Sequence, residues 1–97
     1  MEKYPKIIDV KPQKGKRLLV TFTDGVKKIY NCAPLLKEDA FKPLINDALF
    51  KAVKADEHGY GVIWSDEIDL SESELWLHGR PAEHLYGRGS QEKILPP

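Results

Sequence analysis

The residues best suited to chemistry are three carboxylates, Asp66, Glu67 and Asp69, which stand close together in a predicted turn. Neighbouring carboxylates can exchange protons with a substrate or bind a hard cation. Their spacing lacks the ligand and glycine pattern of a calcium loop, and an ordinary polar turn accounts for them more simply. We therefore predict no catalytic residue, and an enzyme that uses this turn is the weakest of three hypotheses.

The histidines and the single cysteine do not form a recognisable metal-binding or nucleophile pattern. His58, His78 and His84 are scattered along the chain and poorly matched with Cys32 or with nearby carboxylates. The sequence therefore predicts no metal site and no cofactor. Cys32 has no histidine close to it in sequence, and we interpret it as a small, half-buried residue at the end of a strand.

Length and hydropathy indicate one small domain away from membranes. A chain of 97 residues is long enough for one compact core. The amino terminus is polar and the longest apolar runs are too short to cross a bilayer. A single cysteine forms no internal disulfide, which fits a reducing compartment. These features predict a cytoplasmic protein with no membrane partner.

The net charge is zero, but the two signs are separated along the chain. Residues 1–37 carry nine Lys and Arg against three Asp and Glu, whereas residues 38–97 carry six against twelve. Seven acidic residues and no Lys or Arg lie between Asp56 and Glu74. This stretch is either an acidic patch suited to a basic protein partner or a set of solvated loop and helix-start charges. The neutral total charge disfavours nucleic acid as a partner of this chain alone.

The first half of the chain favours antiparallel strands. Ile7–Lys11 is predicted to form a strand that ends at Pro12. The alternating residues on both sides of Asp24-Gly25 predict a hairpin. A two-residue loop would place Val20 opposite Ile29, whereas a three-residue loop would shift that pairing.

The middle of the chain is harder to assign. The apolar residues of Leu35–Ile45 have helical spacing, but Pro43 predicts only a helical turn or two on either side of it. Residues 47–55 fit either a helix capped by Asp47 or a strand near Val53 and Ala55. The periodicity leaves both alternatives open.

The strongest local signals lie between residues 59 and 79. Val62–Trp64 is predicted to be a buried strand, with Trp64 in the core. Ser71 and Glu74 have the spacing of a capping box for a helix over residues 72–78. Gly79 is predicted to end that helix in the left-handed conformation, and Trp76 is predicted to be partly exposed. We expect residues 1–79 to form one domain and residues 80–97 a C-terminal tail.

The order of several short motifs resembles a known family. The motifs are Phe22-x-Asp24-Gly25, Leu35-Leu36, Phe41-x-Pro43-Leu44, Phe50-x-x-Val53, Gly61-x-Ile63-Trp64, Asp69-Leu70 and Leu75. Over residues 6–79 this pattern is similar to the bacterial family known as domain of unknown function 2442. The resemblance implies an α+β fold with a small, mainly antiparallel β-sheet, an N-terminal hairpin, a short C-terminal helix and a strand over residues 50–56.

The resemblance also implies a role. Members of this family often look like antitoxins that are encoded beside small basic toxin-like proteins, and some carry a fused DNA-binding helix-turn-helix, for which residues 80–97 are too few. Ser65 and Glu67 stand where the family commonly has proline and glycine. No catalytic residues are carried over from the family.

Two binding hypotheses follow, and neither is enzymatic. In the first, the chain is the antitoxin of a toxin–antitoxin system and binds a small basic protein. The expected partner-binding residues are Asp66, Glu67, Asp69, Trp76, Tyr86, Ile94 and Leu95. In the alternative, the chain is a ligand-binding or regulatory module with a pocket near Tyr60 and Trp64. A homodimer formed through a sheet edge or an exchanged tail is also expected to be feasible.

Overall fold

The computed structural model describes residues 4–82 and confirms the α+β class. Its strands are β1 (Ile7–Gln13), β2 (Arg17–Phe22), β3 (Lys27–Asn31), β4 (Lys54–Ala55), β5 (Gly61–Ser65), β6 (Ile68–Ser71) and β7 (Arg80–Pro81). Its helices are α1 (Asp47–Lys51) and α2 (Glu72–His78), and 3₁₀ segments cover Ala33–Lys37 and Asp39–Ile45. The strands form two antiparallel sheets, with the orders β1-β2-β3-β7 and β4-β5-β6.

The predicted hairpin is β2–β3, and its loop has three residues. Val20 lies opposite Lys28, so the two-residue register that paired Val20 with Ile29 is wrong. The Phe22 amide donates to the Val26 carbonyl oxygen at 2.9 Å, which closes the loop around Gly25 with φ +89°. A left-handed glycine at the last loop position is typical of three-residue hairpins.

Strand β1 is longer than predicted, because Pro12 does not end it. Pro12 pairs with Leu18, and the strand continues to Gln13. Since β1 is an edge strand of its sheet, a residue without an amide hydrogen is tolerated on the side that forms no ladder bond.

Residues 46–55 contain both of the predicted alternatives in succession. Asn46 rather than Asp47 caps α1, and its side chain accepts a hydrogen bond from the Leu49 amide at 3.1 Å. Phe50 lies in α1, and the strand that follows covers only Lys54–Ala55. The strand over residues 50–56 that the family resemblance implied is therefore wrong over its first part.

Helix α2 begins where the capping pattern predicted, but it ends differently. The Ser71 hydroxyl accepts a hydrogen bond from the Glu74 amide at 3.1 Å. Gly79 has φ −78° and ψ 156°, so the predicted left-handed ending is wrong. Glycine is needed there for space, because a Cβ atom would lie 2.6 Å from the Leu75 carbonyl oxygen.

The chain continues in the first sheet beyond α2. Arg80 pairs with Ile29, and the Ala82 amide donates to the Lys27 carbonyl oxygen at 2.9 Å. Ala82 is buried. Within residues 4–82, no helix is long and apolar enough to span a membrane.

One hydrophobic core joins the two sheets and α2. Its completely buried members are Leu18, Val20, Phe22, Cys32, Leu44, Val62 and Leu75. The core side of the second sheet is formed by Val62 and Trp64 on β5 and by Ile68 and Leu70 on β6. Successive side chains of a strand point to opposite faces of the sheet. The residues between these core positions in β5 and β6 therefore face the opposite, solvent-facing side.

Candidate protein-binding surface

The β5–β6 hairpin presents the three predicted carboxylates to solvent. Asp66 and Glu67 form its turn, Asp69 lies on β6, and all three are exposed. The Glu67 amide donates to the Ser65 hydroxyl at 3.2 Å, which helps to fix the turn. We call Asp66, Glu67 and Asp69 the acidic hairpin surface.

The core determines the direction of Asp69. Its neighbours Ile68 and Leu70 are both 7% exposed because they face the interior. Since successive side chains in a strand point to opposite faces, Asp69 must lie on the outer face, where it is paired with Ile63 of β5. β6 itself was not predicted, although Ile68-Asp69-Leu70-Ser71 has the required alternation.

The other acidic residues of the 56–74 stretch have partners within the fold. The Asp56 carboxylate accepts hydrogen bonds from the backbone amides of His58 and Tyr60, and Glu57 lies 3.3 Å from His58. Glu72 pairs with Lys6 at 3.4 Å.

The Glu74 carboxylate also has partners within the fold, and it does not complete the capping box. Its carboxylate accepts a hydrogen bond from the Tyr30 hydroxyl at 2.7 Å and lies 3.2 Å from His78. Within residues 4–82, no ion pair or side-chain hydrogen bond engages the carboxylates of the acidic hairpin surface. Of the seven acidic residues in this stretch, the four outside the acidic hairpin surface therefore have partners within the described fold, and the three on that surface have none.

Trp76 is only half-buried, as the sequence predicted, but it lies against the other sheet. Its ring meets the Phe22 ring edge-on, with centroids 5.0 Å apart. Lys28 Nζ lies 3.9 Å from the indole centroid and donates to the Trp76 carbonyl oxygen at 2.6 Å. These contacts are with β2 and β3, so they do not join Trp76 to the acidic hairpin surface. The other predicted anchors, Tyr86, Ile94 and Leu95, lie outside the described residues.

The structure does not bring together Tyr60 and Trp64, the residues of the alternative ligand pocket. Trp64 is 7% exposed, and its indole nitrogen donates to the Phe50 carbonyl oxygen at 3.0 Å. Tyr60 is 57% exposed and lies in the turn before β5. A depression of about 130 Å³ lies beside it, lined by Asp56, Tyr60, Gly61, Val62, Ile63, Asp69, Leu70 and Ser71.

A larger groove that sequence reasoning missed lies at the β1–β2 turn. It has a volume of about 440 Å³ and is lined by Pro12, Gln13, Lys14, Gly15, Lys16, Asp47, Phe50 and Lys51. Lys16 has a left-handed φ of 61°, pairs with Asp47 and donates to the Ile45 carbonyl oxygen at 3.0 Å. The hydrogen bond and the charge of Lys16 lower the pKa of Asp47. The local sequence Lys14-Gly15-Lys16 was the one feature that could have indicated this groove.

The ionisable groups of the interior are held in their neutral forms. Burial raises the pKa of Cys32 to about 12, so its thiol carries little thiolate at neutral pH. Burial and the hydrogen bond to Glu74 raise the pKa of Tyr30. Within residues 4–82, no three His, Cys, Asp or Glu residues cluster in a way that could hold a metal ion.

The fold and this surface define a small antiparallel α+β domain with an acidic hairpin. The sequence model of the family described as "Protein of unknown function (DUF2442)" matches residues 7–81. Because the match covers more than half of the chain, the protein belongs to this family, which confirms the resemblance. No curated protein and no solved structure matches the chain.

Proposed function

We propose that this chain is a non-enzymatic binding protein, the antitoxin of a toxin–antitoxin pair, and that it neutralises a small basic protein by direct contact. The observation that supports this proposal most is the acidic hairpin surface. Its three carboxylates are exposed, lie on one hairpin and have no ion pair among the described residues. A basic partner can therefore pair with them without breaking any ion pair or side-chain hydrogen bond within residues 4–82.

The charge of this surface mainly affects how fast a partner associates and which partner is selected. A cluster of one sign attracts a partner of the opposite sign and rejects partners of the same sign. Rim charges alone seldom give tight binding, so apolar anchors are also needed. We assign that role to the exposed part of Trp76 and to Tyr86, Ile94 and Leu95.

The second hypothesis, a small-ligand module at Tyr60 and Trp64, has less support. The depression at Tyr60 has about 130 Å³, whereas ligand pockets commonly have roughly 300–1,000 Å³. The Trp64 indole nitrogen is already used within the core. The partner-binding proposal requires neither a cavity nor a rearrangement of Trp64.

Reversing the charge of the acidic hairpin surface is expected to reduce partner capture by more than about tenfold. We would compare the tagged full chain with the variant Asp66→Lys, Glu67→Lys, Asp69→Lys in pull-downs from native lysate. The full chain should retain one small basic protein in stoichiometric amount, identified by mass spectrometry. The variant should retain less than about a tenth of it, because attraction becomes repulsion.

A matched variant controls for the change in net charge. Asp9 on β1, Asp39 in the second 3₁₀ segment and Glu38 just before that segment are exposed and lie outside the acidic hairpin surface. Replacing these three with lysine changes the net charge equally and should leave capture intact. Equal capture by both variants would refute the role of the acidic hairpin surface.

A further inference from the structure

The second notable feature of the acidic hairpin is the outer edge of β6. In the β4-β5-β6 sheet, β6 is an edge strand and pairs only with β5 among the described residues. An edge strand carries backbone groups that can pair with one more strand. The hydrogen bonds that β6 can form with an added strand depend on which of its residues point their amide and carbonyl groups away from β5.

Three observations establish that direction. The Asp56 amide donates to the Gly61 carbonyl oxygen, so the backbone of Gly61 faces β4. The Glu72 amide donates to the Tyr60 carbonyl oxygen, so these two residues form a hydrogen-bonded pair. Hydrogen-bonded and non-hydrogen-bonded pairs alternate along an antiparallel ladder, so every second pair of β5 and β6 counted from this one is hydrogen-bonded. The Leu70 carbonyl oxygen points at Gly61, and so toward β5.

Asp69 and Ser71 therefore turn their backbones away from β5. They lie opposite Ile63 and Gly61, at the positions that are not hydrogen-bonded across the pair. The Asp69 amide and carbonyl and the Ser71 amide point outward, and none of them has a hydrogen-bond partner within residues 4–82. Asp69 and Ser71 are therefore two successive positions whose backbone groups face outward. An added antiparallel or parallel strand would bond to such groups.

Two other edge strands in the described part of the chain, β1 and β7, carry features that block pairing. β1 contains Pro12 and a register irregularity between Ile7 and Asp9, and β7 contains Pro81. Prolines and bulges are the usual means by which proteins block pairing at an edge. β6 contains neither; the irregularity in its pairing is at Trp64 on β5.

We propose that β6 binds an extended, basic segment of the partner protein as an additional strand. This inference rests on the proposed function, since it names how the same surface holds its partner. Side chains at alternate positions of the segment would lie on the outer face beside Asp69, within about 5 Å between Cβ atoms. The acidic residues there select lysine or arginine at these positions. The intervening side chains lie on the face of Ile68 and Leu70 and are apolar.

A peptide with this alternation provides a direct test. The probe is acetyl-Lys-Val-Lys-Val-Lys-amide, added to the full chain labelled with ¹⁵N. We expect chemical-shift changes centred on the amides of Asp69 and Ser71. We also expect hydrogen exchange of the Asp69 amide to slow by about tenfold at saturation. In an antiparallel addition the lysine amides form the bonds to β6, so the same peptide N-methylated on its lysines should lose both effects. In a parallel addition the valine amides form these bonds, so the peptide N-methylated on its valines should lose both effects instead.

Each other outcome refutes strand addition. Equal binding of the unmodified peptide and both N-methylated peptides would show that side-chain charge alone makes the contact, which leaves the proposed function standing. An Asp69 amide that is already protected in the free chain would show that another part of this chain, or a second copy detected by sedimentation, covers the edge. Loss of lysate capture in the charge-reversed variant tests the proposed function separately.

Discussion

Replacing Phe22 with alanine is expected to lower the free energy of unfolding by about 4 kcal/mol. Phe22 is fully buried in β2, and its ring packs edge-on against Trp76. The substitution removes a large apolar group from the junction of the first sheet and α2 and leaves a cavity. Because a domain of this size is stable by roughly 5–10 kcal/mol, a large part of its stability would be lost. Urea denaturation followed by tryptophan fluorescence measures the change.

An exposed aromatic residue provides the matched control. Tyr60 is 57% exposed, so Tyr60→Ala should cost at most about 0.5 kcal/mol. Equal costs at the two positions would contradict the arrangement of the core. A second variant, Phe22→Leu, keeps most of the apolar volume and should recover about half of the loss.

Replacing Gly61 with alanine is expected to cost about 3 kcal/mol and to weaken partner capture. A Cβ atom at Gly61 would overlap the Leu70 carbonyl oxygen and lie 3.3 Å from the Ser71 Cα atom. Backbone cannot move aside as a flexible side chain can, so β5 and β6 must separate. The strand that carries Asp69 would shift as a result. Urea denaturation measures the stability, and the lysate pull-down measures the capture.

Gly25 distinguishes steric overlap from the general cost of replacing a glycine. Gly25 has φ +89°, but a Cβ atom there would meet nothing within 4 Å. Gly25→Ala should therefore cost only the left-handed strain of about 1 kcal/mol and leave capture unchanged. If Gly61→Ala proved no more costly than Gly25→Ala, the close approach of β5 and β6 would be wrong.

Elements with a strong local signal were predictable from the sequence. The Asp24-Gly25 turn, the Ser71 cap and the buried strand around Trp64 all formed as expected. Their signals depend on residues that are neighbours in the chain. The fold class followed from these elements together with the family resemblance.

Features that depend on distant residues could not be predicted. Either a two-residue or a three-residue loop fits Asp24-Gly25, so these two residues alone do not fix the register of the hairpin. Gly79 looked like a left-handed helix end, yet the approach of Leu75 and Lys28 requires glycine there with extended backbone. β6 was overlooked because the acidic residues around it suggested a turn.

The candidate surface was predictable in part. Sequence alone identified the acidic stretch, but it could not tell Asp69, which is available, from Glu74, which bonds to Tyr30. That distinction depends on a contact between residues that are far apart in the chain. Sequence alone also could not tell that Tyr60, which precedes β5, is 57% exposed whereas Trp64 is 7% exposed.

The most direct measurement of the central claim is growth of cells that express the captured basic partner. The partner alone should arrest growth, and co-expression of the full chain should restore it. The variant with Asp66, Glu67 and Asp69 replaced by lysine should fail to restore growth at equal protein level, whereas the matched variant at Asp9, Glu38 and Asp39 should succeed. Growth that the partner alone does not impair, or that both variants restore equally, would contradict the account.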